Sequence, residues 1–311
     1  MTALDELQRL RGSTGSSAVR TRKKDNRAAF AFLAPWFVGL VFITAGPVIG
    51  SLVLGFTDYN LIQPPRFNGL ENFSRILTDE RLHQSLKVTF IYVGVSVPLQ
   101  LACALALALV LNRGMRGLAF YRSVLYLPSL LGSSVAIAVL WRQIFGAQGL
   151  INQLLAFVGI EGRGWISDPS TALSTLVVLN IWTFGAPMII FLAGLRQIPM
   201  MYYEAAAIDG AGRWARFRRI TVPLLSPIIF FNLALQVIHA FQSFTQAFVV
   251  SGGTGGPDDS TLFFTLYLYQ RGFNNFDMGY ASALAWLLLL IIAGFTALNF
   301  WAAKYWVFYD D

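Results

Sequence analysis

Apolar positions along this 311-residue chain are gathered into six long blocks, separated by polar segments of unequal length. A helix needs about 20 apolar residues to cross the hydrocarbon core of a bilayer. The pattern therefore predicts spans over about 30–57, 86–112, 120–145, 169–195, 226–250 and 278–303. Each must be helical, because lipid offers no partner for backbone N–H and C=O groups. The block at 30–57 carries no charge and exceeds the 7–15 apolar residues of a cleavable leader, so it reads as a retained span. Pro47, Pro98, Pro128 and Pro187 fall in or near spans and predict local kinks.

Between the blocks, residues 1–28 form a basic tail with a Gly-Ser stretch at 12–17, and residues 307–311 form a second short tail. Segment 70–77 (Leu-Glu-Asn-Phe-Ser-Arg-Ile-Leu) is amphipathic, 150–155 predicts a surface helix, and 251–257 is rich in glycine. With the N-terminus placed inside, 16 of the 23 lysines and arginines fall on inner segments. The positive-inside rule then makes both termini cytoplasmic.

Composition agrees with membrane insertion, at 56% hydrophobic and 13% charged residues. The formal charge of +7 does not point to nucleic acid, since the basic residues sit between apolar blocks rather than along one stripe. Cys103 is the single cysteine, lies in an apolar run and reads as a packing residue. The spans contain no carboxylate pair and no HExxH, and the two histidines, His83 and His239, are far apart, so no catalytic or metal constellation is expected. An ion-coupled transporter would place ionisable groups within spans, where only His239 qualifies.

The inner connection 196–227 is about thirty residues long, well beyond an ordinary helix–helix loop. Pro199 suits the first turn of a helix running through Glu204, Ala205, Ala206 and Ala207. Asp209-Gly210 is a turn dipeptide, with Asp209 placed to cap a following helix over about 212–221 that Pro223 would end. Glu204-Ala205-Ala206, Asp209-Gly210-Ala211, Phe217, Pro223 and Pro227 resemble the EAA motif, EAA-x2-DGA-x5-F-x5-P-x3-P, of permease subunits of bacterial ATP-binding-cassette importers. Phe67-Asn68-Gly69-Leu70-Glu71-Asn72-Phe73 and the turn ending in Pro257 are similar to the MalF-like branch that imports sugars and glycerol phosphate.

The resemblance implies an all-α, six-helix permease of the type I importer fold in a bacterial inner membrane. It implies that Glu204, Ala205, Ala206, Asp209, Gly210, Ala211, Phe217 and Pro223 form the coupling segment that docks on a separate ATPase. Two copies of that ATPase would hold ATP and magnesium, with no cofactor on this chain, which lacks a GxxxxGK[ST] phosphate loop. A second permease, making a heterodimer, and an extracytoplasmic sugar-binding protein complete the implied assembly.

A polar stripe marks the fifth block: Asn232, Gln236, His239, Ser243 and Gln246 recur in steps of four and three, flanked by Gln242 and Thr245. Such groups in a span are costly unless they face protein or water. With Asn180 and Thr183 of the fourth block, they are the candidate substrate path. Lys87, Arg122 and Arg142 fall near span ends, and no buried Asp, Glu, Lys or Arg is expected within the spans, which favours a neutral sugar or oligosaccharide, with glycerol phosphate as the alternative cargo.

Overall fold

A computed structural model describes residues 29–114 and 117–308, so the basic tail, Met115, Arg116 and residues 309–311 lie outside the described part. The described residues are helical, with a single isolated bridge between Thr57 and Phe67. Four helices are long and apolar enough to cross a membrane, and two bent pairs make six spans if each pair counts once.

The first span is α1, Ala29–Leu54, a helix whose apolar surface stands almost wholly exposed. Its C-terminal carbonyls would be orphaned. Buried Asn72, on the short helix α2 (Glu71–Ile76), donates to Gly55 O at 3.0 Å and Thr57 O at 2.8 Å. The amphipathic stretch predicted at 70–77 thus caps the end of α1. Next comes α3, Glu80–Leu111, the buried centre of the bundle, with Leu82, Tyr92, Val97, Ala104 and Ala108 in the core.

The expected single helix over 120–145 is broken. α4 (Leu118–Leu131) and α5 (Val135–Ile144) meet at 94° across Gly132–Ser134. Ser134 starts α5 as a new helix, its side chain accepting from the Ile137 N–H at 3.3 Å. Gly132 permits the turn to pack tightly, since a Cβ there would lie 2.2 Å from Thr183 Cγ2. The surface helix at 150–155 is present as α6 (Leu150–Phe157). The fourth block is also two helices, α7 (Pro169–Trp182) and α8 (Gly185–Leu195), bent by 41° at Thr183–Phe184.

The connection 196–227 contains α9 (Met200–Ile208), with Pro199 at its N-cap rather than inside its first turn. Pro223 does not end the following helix. α10 (Arg213–Arg216) continues through a π-helical segment, Phe217–Thr221, into α11 (Val222–Phe241). The Val222 N–H reaches Phe217 O, five residues back. This wider turn re-registers the ladder where proline lacks an N–H, so the helix runs on. The fifth block then breaks at Gln242–Phe244 before α12 (Thr245–Val250). After α13 (Phe264–Tyr269), α14 (Met278–Trp306) closes the chain, and its end lies beside the start of α11, the Phe308 N–H donating to Ser226 Oγ at 2.8 Å.

Candidate functional site

Two of the spans are bent pairs and the fifth is interrupted over Gln242–Phe244, and these three breaks face one cavity of about 500 Å³. Non-helical backbone at membrane depth survives only where it is buried in protein or lines a water-filled cavity. Each break frees carbonyls that a neighbouring helix must satisfy. Thr183 O, released between α7 and α8, accepts from Ser129 Oγ of α4 at 2.8 Å and from Gln100 Nε2 of α3 at 3.2 Å. Gln100 also donates to Thr183 Oγ1 at 2.9 Å and accepts from Asn180 Nδ2 at 3.4 Å. The Ala186 N–H at the start of α8 is met by Ser129 Oγ at 2.8 Å. Gly132 O, released between α4 and α5, accepts from Gln246 Nε2 of α12 at 3.0 Å. Ser243 O, released between α11 and α12, accepts from Thr265 Oγ1. The breaks therefore hold one another open.

Of the predicted path residues, Asn180, Gln236, His239, Gln242, Ser243 and Gln246 line this cavity, as do Thr183 and Thr245. Asn232 does not. It is fully buried within α11, and neither amide atom of its side chain has a hydrogen-bond partner among the described residues. Asn232 shares its helix and its face with Gln236 and His239, but it lies a full turn before Gln236, where packing covers it and the cavity does not extend. Tyr92, Gln100, Ser129, Ser133 and Phe244 also line the cavity, and the stripe does not include them. A signal for Gln100 was present: an amide inside the otherwise apolar block 88–112 needs a partner or water. No Asp, Glu, Lys or Arg lines the cavity. Its surface is amide, hydroxyl and aromatic, the chemistry suited to a neutral hydroxyl-rich molecule.

The elbow between the fourth and fifth blocks lies away from this cavity. α9 closes with a left-handed residue, Gly210 at φ +77°. The Ala211 N–H bonds Ala206 O at 2.8 Å and the Gly210 N–H bonds Ala207 O at 3.1 Å, the paired pattern of a glycine-terminated helix. Asp209 stands at the C-cap of α9, and α10 starts at Gly212 without a side-chain cap, so Asp209 does not cap the next helix as its position predicted. Glu204, Ala205, Asp209 and Gly210 are exposed, while Ala206, Ala211, Phe217 and Pro223 are half-buried. Ile208 is 88% exposed and Trp214 71%, so the elbow presents large apolar side chains on its surface. Trp214 stacks on Phe217 at 5.4 Å between centroids, and Tyr203 of α9 bonds Thr221 across the elbow at 3.0 Å.

At the opposite end of the bundle, charges staple the connections to α3. The Asp79 carboxylate caps α3 at Leu82 N and accepts from Tyr267 and Tyr280 hydroxyls, with Arg271 Nη2 at 3.3 Å. Burial pushes this carboxyl up. The tyrosine hydroxyls, the Leu82 amide and the Arg271 charge outweigh it and hold the group below the ordinary carboxylate range. Arg81 grips Asp259 with two hydrogen bonds, at 2.9 and 2.7 Å, and Arg75 pairs with Asp277 at 2.7 Å.

Residues 85–306 match the family described as binding-protein-dependent transport system inner membrane component. The chain belongs to this family. It is 50% identical over 302 residues to the probable ABC transporter permease protein YesP of Bacillus subtilis, covering 96% of this chain and 98% of that one. The lactose transport system permease protein LacF of Rhizobium radiobacter is 34% identical over 279 residues, covering 88% and 93%. The trehalose/maltose transport system permease protein MalF of Thermococcus litoralis is 33% identical over 262 residues, covering 83% and 87%. A chain in the crystal structure of a bacterial alginate ABC transporter, in complex with its alginate pentasaccharide-bound periplasmic protein, superposes with a TM-score of 0.78. It is 20% identical and covers 91% of this chain and 96% of that one, so it speaks for the fold. The fold is that of type I importer permeases, as the EAA-like spacing implied.

Proposed function

We propose that this inner membrane component is one permease subunit of an ABC importer for a sugar or oligosaccharide, and that its cavity is part of the substrate path. The observation that carries this reading is the uncharged polar cavity of about 500 Å³ framed by the two bent helix pairs and the interruption at Gln242–Phe244. The relatives named for lactose and for trehalose and maltose support a carbohydrate cargo. Substrate would arrive from an extracytoplasmic binding protein and pass between this chain and a second permease.

The elbow 196–227 would grip a separate ATPase, which holds ATP and magnesium; exposed Glu204, Gly210, Ile208 and Trp214 support a docking role. The end of α14 lies beside Pro223 and Ser226, so the elbow and the C-terminus would share the cytoplasmic side. The test is sugar uptake in cells carrying the whole transporter. Uptake should survive a protonophore and fail on ATP depletion, and the purified chain should bring an ATPase with it. Uptake that follows the proton gradient instead would overturn the importer reading.

A further inference from the structure

Toward the elbow the central cavity ends at Gln100 of α3, Pro187 of α8 and Gln236 of α11. α11 packs against both α3 and α8. Asn232 precedes Gln236 by one turn on α11, so it shares that face and lies roughly 6 Å nearer the elbow. One turn further, Ile228 meets Gly194 of α8, where a Cβ would lie 2.1 Å from Ile228 Cδ1 and 2.9 Å from Leu225 Cδ1. The missing side chain lets α8 and α11 close on each other, and Leu192, Leu195 and Leu225 are buried apolar groups at this end. Asn232 thus stands between an open polar cavity and a dry apolar seal.

That position is costly. Asn232 is fully buried, and neither Nδ2 nor Oδ1 has a hydrogen-bond partner among the described residues. A carboxamide carries two donors and two acceptor lone pairs, and leaving them unmet in a dry interior opposes the packing around it. The seal itself needs no polar group, since an aliphatic side chain of the same branching would close this level better. A second arrangement of the helices, in which the amide meets water or a ligand, accounts for it. The elbow is placed to bring that arrangement about. α8 ends at Leu195 and α11 begins at Val222, so the elbow is the connection between the two sealing helices. The bond between Tyr203 and Thr221, at 3.0 Å, ties α9 to the start of α11.

We propose that Asn232 is a substrate-contacting residue on the way out of the cavity, hidden here and uncovered when α8 and α11 part at Gly194 and Ile228. Its carboxamide, which both donates and accepts, then receives sugar hydroxyls as they leave Gln236 one turn away. This rests on the sugar-import reading above. It gives the fifth block a polar station beyond the cavity, on the side where the elbow acts.

The experiment uses the assembled transporter with its ATPase and binding protein in nanodiscs, and the whole chain alone for melting. With Cys103→Ser as background, Asn232→Cys should react with a water-soluble maleimide at least about tenfold faster in one of two states, nucleotide-free or ATP with vanadate. No reaction in either state, or equal reaction in both, overturns the hidden exit. Asn232→Leu keeps the branch and removes the polar atoms, and Asn232→Ala guards against overfilling. At least one of them should melt at or above wild type, whereas a lower melting temperature in both marks Asn232 as glue between helices and overturns the proposal. The stimulation of ATP hydrolysis by lactose, maltose or trehalose should fall about fivefold or more in Asn232→Leu, with Asn232→Gln retaining part. Full stimulation in Asn232→Leu overturns the sugar contact. If none of the three sugars stimulates the wild type while the cysteine still opens, the sugar reading and the sugar contact fall together and only the opening stands.

Discussion

Gln246 donates its side-chain amide to the Gly132 carbonyl at 3.0 Å, joining the break in the fifth block to the break in the third across 114 residues of chain. Neither break is a defect. Each supplies a polar group that the other needs, and the space between them becomes a cavity rather than a packed core.

Gln246→Ala removes the donor and leaves Gly132 O without its partner. Loss of a part-buried hydrogen bond of this kind costs about 1–3 kcal/mol. The melting temperature of the purified chain should fall by roughly 2–6 °C, read by intrinsic fluorescence. A melting curve superimposable on wild type would show that the two breaks are not coupled.

Gln236→Ala should behave differently, since Gln236 lines the cavity and its side chain has no hydrogen bond to another helix among the described residues. The expected outcome is an unchanged melting temperature with weaker sugar stimulation of ATP hydrolysis in the assembled transporter. Full stimulation in this variant would remove Gln236 from the path.

Gly210 holds φ +77° with open space where a Cβ would project. Gly210→Val therefore suffers through backbone strain of about 1–3 kcal/mol rather than a clash, whereas Gly210→Asn tolerates the left-handed region better. With exposed Glu204→Lys as a companion, the prediction is normal insertion and lost uptake for Gly210→Val and Glu204→Lys, with Gly210→Asn between them and wild type. Wild-type uptake in both of the severe variants would separate the elbow from coupling.

The depressed pKa of Asp79 makes a signed prediction. A carboxyl with a lower pKa folded than unfolded contributes stability above the unfolded value, near 4, and loses it as pH falls through the folded value. Wild type should melt higher than Asp79→Asn at pH 7, and the gap should close as the pH drops below about 4. A gap that stays constant between pH 7 and 3 would mean that the carboxylate charge plays no part in tying α3 to Tyr267, Tyr280 and Arg271.

Much of this architecture follows from local rules that the chain states openly. Block length set the number of spans, because the bilayer's thickness is constant. The Asp209-Gly210-Ala211 spacing marked the end of α9, because a left-handed residue is needed to close a helix there. Asn72 lay inside a recognisable amphipathic stretch, although its task at the end of α1 shows only when Gly55 and Thr57 arrive beside it.

What local rules leave open is where a helix stops inside the membrane. Pro128 and Pro187 predicted kinks and the polar stripe marked Ser243, but none of these says that the helix stops at Gly132, Thr183 or Ser243, since an isolated helix would keep its own hydrogen bonds there. The break becomes affordable only when Gln100, Ser129, Gln246 and Thr265 stand close enough to take over the freed carbonyls. Those partners come from other helices, so the cavity, and the departure of Asn232 from it, were decided by tertiary packing. The sequence by itself determined which groups are polar and roughly how deep they lie; only the assembled bundle determined which of them would face one another.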